Sequence, residues 1–306
     1  MGSGGGVDLS VVIVSYNVAS LLCRCLGSVY RTLGSSGIQF EVLVVDNASS
    51  DGTGDMLRDR FPQALLIENE SNRGFAAATN QGLALSGGRY AFLLNPDTEL
   101  IGDAASRLFG FMESHQDAGM VTGQLLNPDG TLQHGAFRFP NLWMSFLDFF
   151  PINHRLTGSR LNGRYELGGM APFEVDHPLG ASMMVRRQVA EQVGPLDEAF
   201  FIYCEEIDWC LRIKRGGWRI YSVPQALVIH HVAQSTRQRA PAMFVELHKS
   251  RSLLFRKHYS RFFRWAHRRI VNLGVRRELS RLGGRRLSPE QATAWRDAYG
   301  AVLSLR

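Results

Sequence analysis

Asp97 stands at the end of FLLNPDTEL (92–100), where Phe92, Leu93 and Leu94 read as a buried strand and Asn95-Pro96-Asp97 as the turn that follows. One carboxylate in that position suits a hard cation, because Mg²⁺ or Mn²⁺ takes one or two protein carboxylates and completes its shell with phosphate oxygens. It is also what an ordinary turn contains. The stretch QALVIHH (225–231) brings His230 to the end of another strand, where it can be a second ligand for the same ion or, as a lone histidine usually is, a structural or solvated residue. FFIYCEEIDWCLR (200–212) packs Glu205, Glu206 and Asp208 among aromatics. Neighbouring carboxylates repel and desolvate one another, which lifts a pKa into the range of a general base. The same acids equally suit a helix N-terminus, whose dipole favours negative charge.

Asp46, in VVDNASSDGT (44–53), can accept the imino N–H of uracil, thymine or guanine, and Tyr16 can wall the same ring. The plainer role for Asp46 is a helix cap or Asx-turn. Asn72-Arg73-Gly74 opens a helix of small residues, an arrangement suited to phosphate, or else a capped helix with an exposed Arg.

These residues need a frame. LSVVIVSYN (9–17), FEVLVVDN (40–47), ALLIEN (64–69) and YAFLLN (90–95) are continuous apolar runs of the kind that parallel strands show when buried on both faces. Helix patterns lie between them, near 19–32, 53–60 and 75–86, so the first 125 residues read as a doubly wound α/β sheet. Ligands of such sheets bind beyond the carboxyl ends of the strands. Ser15, Tyr16, Asn17, Asp46, Asn47, Asn95 and Asp97 all fall there. No GxGxxG follows the first strand and no GxxxxGK[ST] occurs, which removes the dinucleotide and P-loop readings. Residues 125–175 are looser and read as an excursion that could cover a substrate, before strand patterns resume at 173–187 and 218–231.

With 306 residues, 45% of them apolar, the chain can bury a sizeable core. No apolar run reaches the roughly 18 residues of a spanning helix, and no signal peptide is expected. MGSGGG (1–6) reads as a flexible leader, and Cys23, Cys25, Cys204 and Cys210 as reduced cytosolic thiols. Charge is uneven. Residues 237–286 hold fifteen Lys and Arg against two acids, a local +13 that leaves −7 for the rest of a chain of +6. The expected organisation is therefore an acidic domain over 7–235 with a basic helical region over 236–306. In 261–273 a helical projection gathers Phe262, Phe263, Ala266, Ile270 and Leu273 opposite Arg261, Arg264 and Arg268. That pattern fits an anionic membrane surface, or a helix docked on the domain with a solvated basic face. Nucleic acid is not expected, since no motif for it accompanies the charge.

In order, SYN (15–17), VVDNASSDGT, NRGFAAATN, LLNPDTEL, GASMMVRR, FFIYCEEIDWCLR and PQALVIHH resemble the inverting family 2 glycosyltransferases of the GT-A fold, most of all the bacterial rhamnosyltransferase-like members. The resemblance runs from about Ser10 to Ser235. It implies a GT-A, Rossmann-like, mostly parallel sheet flanked by helices. It implies that Ser15, Tyr16, Asn17, Asp46, Asn72, Arg73 and Asn95 hold a dTDP- or UDP-sugar donor, and that Asp97 and His230 hold Mg²⁺ or Mn²⁺. Glu206, in the place of the family's usual Asp, would deprotonate an acceptor hydroxyl, with Glu205 and Asp208 as alternatives. Asn95 replaces the first acid of the family's Asp-x-Asp motif, so metal is expected to bind weakly without nucleotide. The implied reaction is metal-dependent, inverting transfer of rhamnose to a lipid-linked or polysaccharide acceptor in cell-envelope glycan synthesis, at the cytoplasmic face of the membrane. The competing readings are a catalytically silent nucleotide-sugar-binding or assembly protein of the same fold, and a sugar nucleotidyltransferase. The last would need a Gly-rich basic loop after the first strand, which SYNVASLL lacks.

Overall fold

The computed structural model describes residues 6–152, 156, 159–165, 168–231, 240–284 and 286–305. The apolar runs become strands close to their expected bounds: β1 (Leu9–Ser15), β2 (Phe40–Asp46), β3 (Leu65–Glu68) and β4 (Tyr90–Leu94). All three of their mutual pairings are parallel. β1 and β4 are buried along their whole length. β3 departs from the expectation of burial on both faces, because it is the edge strand, pairs only with β2 and leaves Leu65 half exposed.

The crossovers are α1 (Ala19–Leu33), α2 (Thr53–Arg60) and α3 (Phe75–Leu85). α1 buries Leu22, Cys25, Leu26, Val29 and Leu33 at the three- and four-residue spacing of one helix face. In α3 the small residues serve a strand rather than a ligand. A Cβ at Gly82 would overlap Val12 of β1, so the glycine lets helix and sheet close up.

Beyond β4 come β5 (Thr98–Leu100), α4 (Ala104–Ser114), β6 (Ala118–Leu126), β7 (Leu132–Gln133), β8 (Ala136–Phe137) and α5 (Leu142–Phe149). The segment read as one strand over 173–187 is three short ones: β9 (Phe173–Glu174), β10 (His177–Pro178) and β11 (Ser182–Arg186). β11 runs antiparallel between β4 and β6. It is followed by α6 (Arg187–Val193), α7 (Glu205–Arg215) and β12 (Arg219–His230), and the sheet order is β3-β2-β1-β4-β11-β6-β12-β5.

Three further helices, α8 (Ala240–His258), α9 (Arg261–Arg281) and α10 (Pro289–Ser304), complete the chain. They pack with α5 around Phe149, Val271, Val275, Tyr299 and Val302. The excursion therefore works differently from expectation. No described residue between 127 and 175 lines the cleft below the strand ends, and α5 instead docks the C-terminal helices, its Phe149 ring lying where a Cβ on Gly274 would sit. The helical projection of α9 is corrected as well. His267, Val271, Gly274 and Val275 are buried, whereas Phe262, Trp265 and Leu273 are 69%, 57% and 63% exposed. The chain thus docks one face of α9 and leaves a second apolar stripe in solvent. Residues 1–5 of the leader and the boundary expected near 235 lie outside the described residues. All four cysteines stand as free thiols. Among the described residues no helix is long and apolar enough to cross a membrane.

Candidate active site

A cleft of about 490 Å³ opens beyond the carboxyl ends of β1 and β4, walled on its far side by residues 179–181 and 201–206. A closed turn and a strand pairing build its metal-competent corner. Asn95 accepts the backbone N–H of Thr98 at 3.2 Å, so Asn95-Pro96-Asp97-Thr98 is a closed turn with Pro in its favoured second position. β5 then pairs antiparallel with β12 in a register that sets His230 opposite Thr98, and the His231 N–H donates to the Asp97 carbonyl at 2.9 Å. As a result His230 Nε2 lies 3.5 Å from Asp97 Oδ1.

The chemistry of that pair can be read from its supports. Gln133 donates through Nε2 to Asn127 Oδ1 at 3.1 Å, which turns its Oε1 toward His230 Nδ1 at 2.9 Å. In the neutral ring that bond places the proton on Nδ1 and leaves the Nε2 lone pair facing a carboxylate oxygen. Two acceptors face to face call for a cation between them, so the residues fit a divalent ion. Among the described residues no cluster of three or more His, Cys, Asp or Glu forms a complete cage. The remaining coordination positions are open to a diphosphate.

The opposite wall carries the acids. Tyr203 and Cys204 both have positive φ, 69° and 67°, which costs energy for side-chain-bearing residues and is tolerated where surrounding structure enforces it. Here Ser250 Oγ of α8 donates to the Ile202 carbonyl at 2.7 Å, and the Phe201 carbonyl accepts from Phe75 N at 2.7 Å. Gly74, with φ of 84°, makes that contact fit, since a Cβ there would lie 2.6 Å from the Phe201 carbonyl oxygen. The left-handed turn aims the first residues of α7 into the cleft. Burial pushes the Glu206 carboxyl up to about 7, against opposing hydrogen bonds from backbone N–H groups. Glu205 is buried deeper, its Oε2 without a hydrogen-bond partner among the described residues, and burial together with the Glu206 charge raises it well above the ordinary range.

Asp208 is a correction. It is fully buried on the other side of α7 and does not line the cleft. Its carboxylate takes Arg212 Nε at 2.8 Å, Lys257 Nζ at 2.5 Å and His258 Nε2 at 2.7 Å. Burial alone would raise its pKa, but Lys257, His258 and Arg212 outweigh that and hold it below the usual carboxylate range. It ties α8 to α7, and it cannot reach an acceptor.

Of the residues expected to hold a donor, Tyr16, Asn72 and Asn95 line the cleft, and Ser15, Asn17, Asp46 and Arg73 do not. Ser15 is sealed beneath it. Asn17 is spent on loop structure, its Oδ1 accepting from Ser50 N at 2.8 Å. Asp46 is almost fully buried and forms a local turn in which Ser49 donates to it through both hydroxyl and backbone N–H. Burial raises its pKa, and the Ser49 bonds partly offset that. The Arg73 side chain is exposed at the rim. Asn47, not among the expected donor residues, organises this wall. Its Nδ2 donates to Asn72 Oδ1 at 2.9 Å, and its Oδ1 accepts from Arg73 N at 2.9 Å and Asn69 Nδ2 at 3.1 Å. Phe201 and Tyr203 were also missed as cleft residues. Their place in an aromatic run beside the acids was the available signal.

A mostly parallel sheet thus carries a cation-competent turn and a high-pKa carboxyl in one cleft beyond its strand ends. A family model described as Glycosyl transferase family 2 matches residues 10–194, more than half of the chain, and the chain belongs to that family. It is 29% identical over 265 residues to the N-acetylglucosaminyl-diphospho-decaprenol L-rhamnosyltransferase of Mycobacterium tuberculosis, covering 81% of this chain and 83% of that one. It is 27% identical over 228 residues to the low-salt glycan biosynthesis hexosyltransferase Agl10 of Haloferax volcanii, covering 73% and 67% of the two chains. In fold it is similar to a mannosyltransferase from Pyrobaculum calidifontis solved with GDP-Man and Mn²⁺, with a TM-score of 0.58 at 15% identity over 98% of this chain and 86% of that one. The protein is a glycosyltransferase of the GT-A fold.

Proposed function

We propose that the protein is a metal-dependent, inverting glycosyltransferase that moves rhamnose from dTDP-rhamnose to a lipid-linked or polysaccharide acceptor, in cell-envelope glycan synthesis at the cytoplasmic membrane face. The observation that carries this reading is the pairing of Asp97 and His230 on one wall of the cleft with Glu206 on another. The M. tuberculosis relative supports the sugar and the lipid diphosphate through what its name says it acts on.

Tyr16 would flank the base, while Asp46, buried outside the cleft lining, would take a ring N–H only if its Ser49 turn opened toward the cleft. Asn72 and Asn95 would position the donor, with Arg73 reaching a phosphate from the rim. Asp97 and His230 would hold Mg²⁺ or Mn²⁺, which when bound supplies charge neutralisation for the departing diphosphate. Glu206 would take the proton of the acceptor hydroxyl, and Glu205, kept neutral by burial, would leave that role to it. The single base suits one displacement with inversion, with no covalent sugar on the enzyme. The exposed Phe262, Trp265 and Leu273 of α9, interspersed with arginines, support a peripheral seat on an anionic membrane.

Glu206→Gln tests the reading. Transfer should fall by about 10²- to 10⁴-fold while donor affinity stays within about threefold. In the wild type the rate should rise with pH through about 7, since the base must be deprotonated and burial has raised its pKa. Persistent transfer by the variant would move the base elsewhere.

A further inference from the structure

We infer that the cavity enclosed by α8, α9 and the end of α10 binds a single lipid of the membrane, with its phosphate on a ring of arginines and its hydrocarbon on the floor between the helices. The cavity measures about 340 Å³ and lies apart from the cleft, sharing no lining residue with it. This rests on the membrane-face reading above and replaces a diffuse electrostatic contact with a defined site.

Three observations on the residues carry it. Arg256, Arg261, Arg264 and Arg268 all line the cavity, and among the described residues none of their guanidinium groups has an acidic or hydrogen-bonding partner. The acids nearest in the chain are already engaged, Glu246 by Lys249 at 2.7 Å and Glu278 by Arg277 at 3.6 Å. Gathered guanidinium groups repel one another, and a phosphate relieves that through charge-assisted, bidentate bonds. The rest of the lining is largely apolar, from Phe255, Val271, Val302 and Leu305 with His248, Ser252 and Asn272 among them, which suits a hydrocarbon chain better than a free anion. Finally His267, which also lines the cavity, is 8% exposed and its Nε2 has no hydrogen-bond partner among the described residues. Burial holds this ring neutral, at about 4, so it would meet a ligand as a neutral polar group.

The surroundings fit a bilayer interface. Trp265 lines the cavity yet is 57% exposed, stacks with the exposed Phe262 at 6.0 Å, and lies under the Arg269 guanidinium at 5.6 Å. Aromatic rings beside cations are the usual furniture of that depth.

The test uses the full chain and monomeric dihexanoylphosphatidic acid below its micelle threshold, followed by calorimetry. One lipid should bind per chain, with inorganic phosphate at least about tenfold weaker. Arg264→Gln with Arg268→Gln should weaken the lipid at least about tenfold, whereas Arg276→Gln with Arg281→Gln, an equal loss of charge outside the cavity, should change it by less than about threefold. Ser252→Trp, which keeps every charge and fills the cavity, should also block the lipid, with nucleotide binding in the cleft reporting that the fold is kept. Equal losses from the two double variants, phosphate binding as tightly as lipid, or displacement by a single-stranded oligonucleotide would overturn the site. Flotation with anionic vesicles separates the two claims. Vesicles bound equally by wild type and cavity variants would refute the cavity and leave the membrane seat standing. Monomeric lipid bound without vesicle binding would refute the seat and support the cavity.

Discussion

The cleft, of about 490 Å³, and the C-terminal cavity, of about 340 Å³, have opposite chemistry. The cleft gathers Asp97, Glu205 and Glu206, and the cavity gathers Arg256, Arg261, Arg264 and Arg268. A carboxylate and an imidazole lone pair held face to face suit a cation, and unpaired guanidinium groups over an apolar floor suit an anion with a tail. The comparison separates an acidic, cation-competent cleft at the strand ends from a basic cavity in the appended helices, the places to which the proposals above assign transfer and membrane contact. α8 belongs to both. Leu254 and Phe255 pack on Phe200, Cys204 and Ile207, Ser250 holds the loop before α7, and Lys257 and His258 reach Asp208. The basic region thus buttresses the wall that carries Glu205 and Glu206.

The comparison can be broken from either side. Asp97→Ala should have the largest effect, removing the carboxylate of the cation corner and lowering metal-dependent turnover by about 100-fold or more, while leaving the melting temperature nearly unchanged. Steady-state rates with and without Mn²⁺ would show it, and an undiminished rate would take Asp97 out of the metal site. Asp208→Ala should act in the opposite way. It leaves Arg212, Lys257 and His258 without their buried partner and should cost about 3 kcal/mol of stability by denaturant titration, with any loss of activity following from unfolding. The sign with pH is defined. A carboxylate whose folded pKa is depressed contributes its stability above the unfolded value and loses it as pH falls through the folded one, so the gap between wild type and variant should close in acid. A fully folded but inactive Asp208→Ala would return Asp208 to the chemistry.

The two regions also differed in how legible they were. β1, β2 and β4 were plain because parallel strands between two helix layers need unbroken apolar runs, and the Asn95 to Asp97 turn was plain because Pro marks it. Pairing partners distant in sequence were not. Nothing in QALVIHH tells that β12 lies against β5, and it is that register which brings His230 to Asp97. The run 173–187 looked like one strand because it is apolar throughout, whereas the backbone turns at Leu179 to Ala181 so that Gly180 can line the cleft. Asp208 looked like its neighbours Glu205 and Glu206. It is set apart by helix geometry, which rotates it off the cleft face, and by Lys257 and His258, which stand some fifty positions along the chain. On α9 the projection centred on Phe262, Phe263, Ala266, Ile270 and Leu273, whereas the buried face is that of His267, Val271, Gly274 and Val275, since periodicity alone does not say which face a neighbouring helix covers.

The central claim is that the Asp97 and His230 corner is half a metal site, completed by a diphosphate. Calorimetric titration of Mn²⁺ into the protein, alone and with a saturating nucleoside diphosphate, tests it most directly. Binding should be weak without nucleotide and at least about tenfold tighter with it, and the enhancement should disappear in Asp97→Ala. Equal Mn²⁺ affinity with and without nucleotide, or an enhancement that survives Asp97→Ala, would contradict the account.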